Sequence, residues 1–234
     1  MRFPFRIIPL AVLATAGLAG VAQAQSAQLK SAEVAKVGEN RFKWFFGVQG
    51  GALFFGTQRQ TQSGIPAAGA HVSVVSRRGG LQLGFEEGFG SEEPSAFVDA
   101  TSGTGIRQVE FDRIRRYGFN LTGYPVRGSI EPYLGVGFGM IQVVDWRFDP
   151  NESFTSPTEA GLSTALGNQA SASAFASFLA GLQFRVGRLA AFSQYQISTA
   201  PRAGDLLRGT GHSLLGGLRF SLGSAREDVK GGGY

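Results

Sequence analysis

The chemistry that this chain could carry is concentrated in a few spacings. His71-Val72-Ser73 places an imidazole and a hydroxyl two residues apart. On a β-strand that spacing puts both on one face, where a base could activate a nucleophile. The alternative is a pair of polar side chains on a strand wall. In His212-Ser213 the two side chains are adjacent in sequence and point to opposite faces, so they form no direct pair. Asp145, Asp149 and Glu152 cluster without the regular spacing of a calcium loop, and read as a solvated acidic loop. The chain has no cysteine, so it can form neither a disulfide nor a thiolate metal site. These residues assign no catalytic group, metal or cofactor.

EPYLGVGFGMIQVVDWRF, residues 131–148, raises a nucleotide question through Gly135, Gly137 and Gly139. A phosphate loop needs a strand, a turn and then a helix. Here Leu134, Val136, Phe138, Met140, Val144 and Trp146 alternate with the glycines. The segment continues as strand, and its glycines form a stripe on one face that leaves room for bulky neighbours.

Beyond that stretch, period-two alternation recurs from Phe42 onward. It predicts eight strands, at 42–56, 70–76, 81–90, 107–124, 131–148, 171–186, 189–198 and 211–222. Connections at 57–69, 91–106, 149–170 and 199–210 are long, and those between them are short. Long loops at one end and short turns at the other are the pattern of transmembrane β-barrels. The fold expected is therefore all-β: an eight-stranded antiparallel up-and-down transmembrane β-barrel over 42–222. A soluble eight-stranded barrel, apolar inside and polar outside, is the structural competitor. Alternation alone does not say which face is which, but one face here carries glycine, serine and charge.

The start of the chain reads as a secretory signal peptide, 1–24. Arg2 and Arg6 precede an apolar run, and Ala22-Gln23-Ala24 is a small-residue cleavage site. Its removal takes the formal charge from +5 to +3, because two arginines are lost. That balance is too mild to argue for nucleic acid. Residues 25–41 read as a polar, Ala-rich periplasmic segment and 223–234 as a periplasmic tail. After the signal there is no apolar run long enough for a membrane helix.

Because charge on the lipid face is costly, mid-strand charges are expected to point inward. Parity assigns Glu86, Glu110, Asp112, Arg116, Glu131, Arg185 and Arg219 to a luminal charge network, in a lumen just wide enough to be filled by side chains. The rival is a charged lining of a water channel. Arg113 and Arg115 share parity with Phe111, Tyr117 and Phe119 and are expected on the outer face, where guanidinium forks suit lipopolysaccharide phosphates. Aromatic girdles are expected from Trp44, Tyr124 and Tyr133 at the short-turn end and from Trp146 and Phe148 at the long-loop end.

The signal segment, the alternation and the loop asymmetry together resemble the small outer-membrane β-barrels of Gram-negative bacteria, such as the OmpA transmembrane domain, OmpX and opacity-type proteins. The terminal GHSLLGGLRFSL, with Gly217, Phe220 and Leu222, is similar to the assembly signals read by the outer-membrane insertion machinery. GSAREDVKGGGY runs past the point where that family often ends. The resemblance implies an outer-membrane location and contact with outer-membrane lipids, including lipopolysaccharide. It implies an envelope-stabilising or surface-interaction role through the long loops, and no enzyme activity. A narrow conduit for small solutes or hydrophobic molecules, as in OmpW-like barrels, is the second implied role. A lipid A-modifying hydrolase using His71 and Ser73 is the third.

Overall fold

The computed structural model describes residues 42–76 and 78–225. The expected signal peptide, the 25–41 segment and the tail from residue 226 lie outside the described residues.

The chain forms a closed antiparallel barrel. Its strands are β1 (Phe42–Thr57), β2 (Ser63–Val75), β3 (Gly79–Val98), β4 (Ile106–Gly123), β5 (Ile130–Val144), β6 (Arg147–Phe148), β7 (Ala172–Val186), β8 (Leu189–Ser198) and β9 (Leu207–Ala225), with one helix, α1 (Pro157–Ala170), among the described residues. Neighbours pair in the order β3-β2-β1-β9-β8-β7-β5-β4, and β3 pairs back onto β4. β6 is a two-residue extension that pairs with β4 at Val109 and Glu110. Closure leaves no unpaired edge. Phe42 pairs with Ala225, so the barrel begins and ends at the short-turn end. The final strand therefore takes in residues 223–225, the first part of the expected tail.

The eight long strands follow the expected order, but three connections are shorter than the alternation predicts. β2 begins at Ser63 rather than 70, β3 runs on to Val98 inside the expected 91–106 loop, and β9 begins at Leu207 rather than 211. The stretch read as loop at 149–170 contains α1. Its start is chemically explicit: Ser156 Oγ accepts from the Glu159 amide at 3.1 Å, and Pro157 opens the first turn.

The burial pattern is inverted relative to a soluble barrel. Outward positions carry exposed Phe46, Leu83, Leu134, Val136, Phe138, Phe178, Leu182, Leu218 and Leu222. Inward positions at mid-height carry Gln49, His71, Gln82, Glu86, Arg116, Asn120, Gln183, Gln194 and Arg219, all buried. Two apolar seals bracket that polar layer. Phe45, Val75, Tyr124, Tyr133 and Leu179 pack at the short-turn end. At the long-loop end Leu53, Phe55, Ile65, Phe97, Val109, Phe111, Ile114 and Val143 form a larger plug, with Trp146, Phe148 and Leu166 packed against it.

Candidate functional site

The lumen is built on the glycine stripe. A Cβ on Gly137 would lie 2.0 Å from Asn120 Oδ1, one on Gly139 2.7 Å from the Phe175 ring, and one on Gly135 3.0 Å from Leu179. Gly47 makes the same allowance for the ring of His71, and Gly181 for that of Tyr133. Each of these glycines is matched by a bulkier residue at the paired position on the neighbouring strand, whose side chain fills the lumen over it. That is how a narrow barrel fills its interior without overpacking.

Within that space the polar side chains form one continuous chain. Arg116 Nη1 donates to Glu86 Oε2 at 3.1 Å, and Gln49 Nε2 donates to Glu86 Oε1 at 3.0 Å. Gln49 Oε1 lies 3.0 Å from His71 Nδ1, and Arg219 Nε donates to His71 Nε2 at 2.9 Å. Since Nε2 must accept from the guanidinium, Nδ1 carries the proton and donates to Gln49. Arg219 Nη1 then donates to Gln183 Oε1 at 2.8 Å, and Gln183 Nε2 to Glu131 Oε2 at 3.1 Å. Glu131 also accepts from Arg185 at 2.9 Å and Arg127 at 3.3 Å. Arg219 sits 4.1 Å over the Phe192 ring, which compensates part of its desolvation. Beside Arg116 a cavity of about 10 Å³ remains, room for one water at most.

Five of the seven residues expected in the luminal network, Glu86, Arg116, Glu131, Arg185 and Arg219, stand in this chain. Glu110 and Asp112 do not. They lie on the outer wall, where Arg147 reaches Glu110 at 3.4 Å and Asp112 at 2.9 Å. The cause is local. β3 inserts extra residues between Phe89 and Glu93, Glu92 takes a positive φ of 52°, and its amide donates to Asp112. Opposite this bulge the facing of β4 reverses, so Val109 and Phe111 turn inward together with Ile114.

Several girdle assignments are corrected too. Trp44 does face outward, but Tyr124 and Tyr133 are buried in the short-turn seal. Tyr133 alternates in phase with Glu131 and Gly135, which turns it inward, and its hydroxyl donates to Gln194 at 3.1 Å. Trp146 and Phe148 pack over the apolar plug beneath α1, because Asp145 takes a positive φ of 57° and breaks the alternation just before them. Gly167 of α1 lies against the Trp146 indole.

Arg113 and Arg115 remain on the outer wall, and both are held by carboxylates. Arg113 Nε donates to Asp145 at 2.7 Å, its Nη1 reaches Glu87 at 3.4 Å, and Arg115 Nε donates to Glu87 at 3.2 Å. His71 and Ser73 both point inward, but both His71 ring nitrogens are engaged by Gln49 and Arg219. Ser73 Oγ is buried with no hydrogen-bond partner among the described residues.

A second ionic centre, unforeseen from the sequence, caps the long-loop end. Arg107 is buried, with Nε 3.2 Å from Asp99, Nη1 3.1 Å from Glu152 and Nη2 on Glu159 of α1. Its guanidinium also lies 4.5 Å over the Phe154 ring. Burial pushes the Asp99 carboxyl up, but hydrogen bonds from Ser163, Thr101 and Arg107 outweigh it and hold the group down at about 2. The Thr155 hydroxyl and amide hold Glu159 below the usual carboxylate range. α1 is thus pinned across the barrel mouth by charge at its N-terminal end and by apolar packing of Leu166 and Ala170 further along.

No family model matches the chain, and no curated protein matches it. Among solved structures, the chain is similar to neisserial surface protein A, with a TM-score of 0.48 and 11% identity over 76% of this chain and 96% of that one. It is also similar to the N-terminal β-barrel domain of Pseudomonas aeruginosa OprF, with a TM-score of 0.44 and 9% identity over 76% of this chain and 96% of that one.

Proposed function

We propose that the protein is an integral outer-membrane barrel with a closed lumen, which stabilises the envelope or presents its capped long-loop end for surface contacts. The observation that carries this reading is the apolar outer wall. On β5 the outward side chains from Ile130 to Met140 are apolar. That stretch covers roughly 33 Å of strand, or about 24 Å of height at a tilt of ~45°. It matches the ~25 Å band that such barrels present to lipid. Above it, Arg115 pairs with Glu87 and Gln142 in one polar row, where the band ends. A soluble barrel would leave this wall in water.

A closed lumen is supported by the polar chain and by the apolar seals on either side of it. A conduit would require Arg219 to leave His71 and Gln183, Gln183 to leave Glu131, and the plug around Phe111 to part. Fractionation with heat-modifiable gel mobility tests the reading. The barrel is expected in the outer-membrane fraction and should migrate faster unboiled than boiled. Recovery as a soluble periplasmic protein with no mobility shift would overturn it.

A further inference from the structure

The outer wall is not evenly filled. Across β2–β5 it carries a groove of about 610 Å³. One bank is the row of Leu83, Phe119 and Phe138, and the other is the row of Phe85, Tyr117 and Met140. Between the banks lie Gly84, Gly118 and Gly139, which pair side by side and whose inward facing leaves no outward side chain in the groove floor. One step further toward the long-loop end on β4 stands Arg115. Glu87 holds its Nε, while its two terminal nitrogens have no partner among the described residues. Arg113, by contrast, is fully engaged by Asp145 and Glu87. Gln142 pairs with Arg115 in the same row and its amide also has no side-chain partner among the described residues.

We propose that this groove and the Arg115 fork form a binding site for one phosphorylated, acylated saccharolipid of the outer leaflet, the lipid A part of lipopolysaccharide. An acyl chain lies between the two aromatic banks, a phosphate takes the two free Arg115 nitrogens, and the Gln142 amide meets a sugar hydroxyl. Charge and position select this occupant. A guanidinium held at Nε by a carboxylate offers a fixed two-donor fork suited to a phosphate. The fork lies on the long-loop side of the apolar band, at the level of outer-leaflet headgroups. Burial of methylenes in the groove adds affinity without directionality. The proposal rests on the outer-membrane reading above.

The test is native mass spectrometry of the full chain, extracted in mild detergent from a strain with truncated lipopolysaccharide. The wild type is expected to retain one lipopolysaccharide. Arg115→Ala removes the fork, and Ala70→Phe fills the groove from its lining while keeping an apolar wall. Each is expected to lower retention about tenfold. Arg208→Ala, an arginine remote from the groove, should leave retention unchanged. A heat-modifiable outer-membrane barrel that retains no lipopolysaccharide would overturn the proposal. So would retention unchanged in Arg115→Ala and Ala70→Phe, an equal loss in Arg208→Ala, or retention of phosphatidylglycerol or a second copy of the chain instead. A chain that never reaches the outer membrane would point to failure of the location reading instead.

Discussion

Replacing Glu131 with alanine is expected to destabilise the barrel by about 3 kcal/mol. Glu131 is 2% exposed and accepts through one oxygen from Arg127, Arg185 and Gln183. Through Gln183 it also balances Arg219, which touches no carboxylate directly among the described residues. Alanine would leave Arg127, Arg185 and Arg219 at the short-turn end of the lumen without the acid that joins them. The estimate is set at the lower end for a buried pair, because the side chains of Arg127 and Arg185 are 28% and 20% exposed and water would recover part of the loss. Glu131→Gln keeps an acceptor oxygen and should cost about half as much. The measurement is the urea concentration at which the fast-migrating folded band converts to the unfolded one. It should fall in Glu131→Ala and by less in Glu131→Gln. An unchanged midpoint in both would mean that the luminal chain does not hold the barrel together.

Arg107→Ala should release the cap while leaving the barrel below it intact. The arginine is 3% exposed and joins Asp99, Glu152 and Glu159, so its loss strands a fully buried Asp99 beside α1. A local cost of about 3 kcal/mol corresponds to roughly a hundredfold faster hydrogen exchange of the α1 amides. The gel-mobility midpoint should hardly move, because the strands pair independently of α1. Unchanged exchange in α1 would contradict the pinning role. The same centre sets a pH dependence. Asp99 is held at about 2, below its ordinary 3.8, so the stability it lends the cap is complete above pH 3.8. It is lost as pH falls through about 2. The protection of the α1 amides, their exchange rate relative to the intrinsic rate, should therefore be steady from neutral pH down to about pH 4 and fall only below that.

The sequence carried the strand order because outer-wall residues such as Val136 and Phe138 alternate strictly with luminal glycines. The rule that charge avoids lipid then located Glu86, Arg116, Glu131, Arg185 and Arg219. Parity failed at Glu110 and Asp112, where a bulge reverses the facing of β4, and the girdle expectation failed at Trp146 and Phe148, where Asp145 leaves the extended region. A strict period of two contains no sign of either break. The neutral members of the luminal chain, Gln49, His71 and Gln183, were missed because an amide or imidazole carries no comparable penalty to fix its facing. The helix was more accessible. Ser156-Pro157-Thr158-Glu159 is a capping box with proline at its first turn, and only the expectation of a loop between barrel strands hid it. The partners of Arg107 lie at residues 99, 152 and 159, far apart in sequence, and only the closed fold brings them together.

The account turns on which face of the wall meets lipid. Since the chain has no cysteine, a single introduced thiol reports its own surroundings. Cells carrying Val136→Cys, on the outward face of β5, would be treated with a charged, membrane-impermeant maleimide. Cells carrying Leu162→Cys, on the exposed face of α1, would be treated alongside them. The account predicts rapid labelling of the Leu162→Cys protein on intact cells, and labelling of the Val136→Cys protein only after boiling in detergent. Equally fast labelling of both in the native state would mean that the apolar wall faces water, and would contradict the membrane barrel.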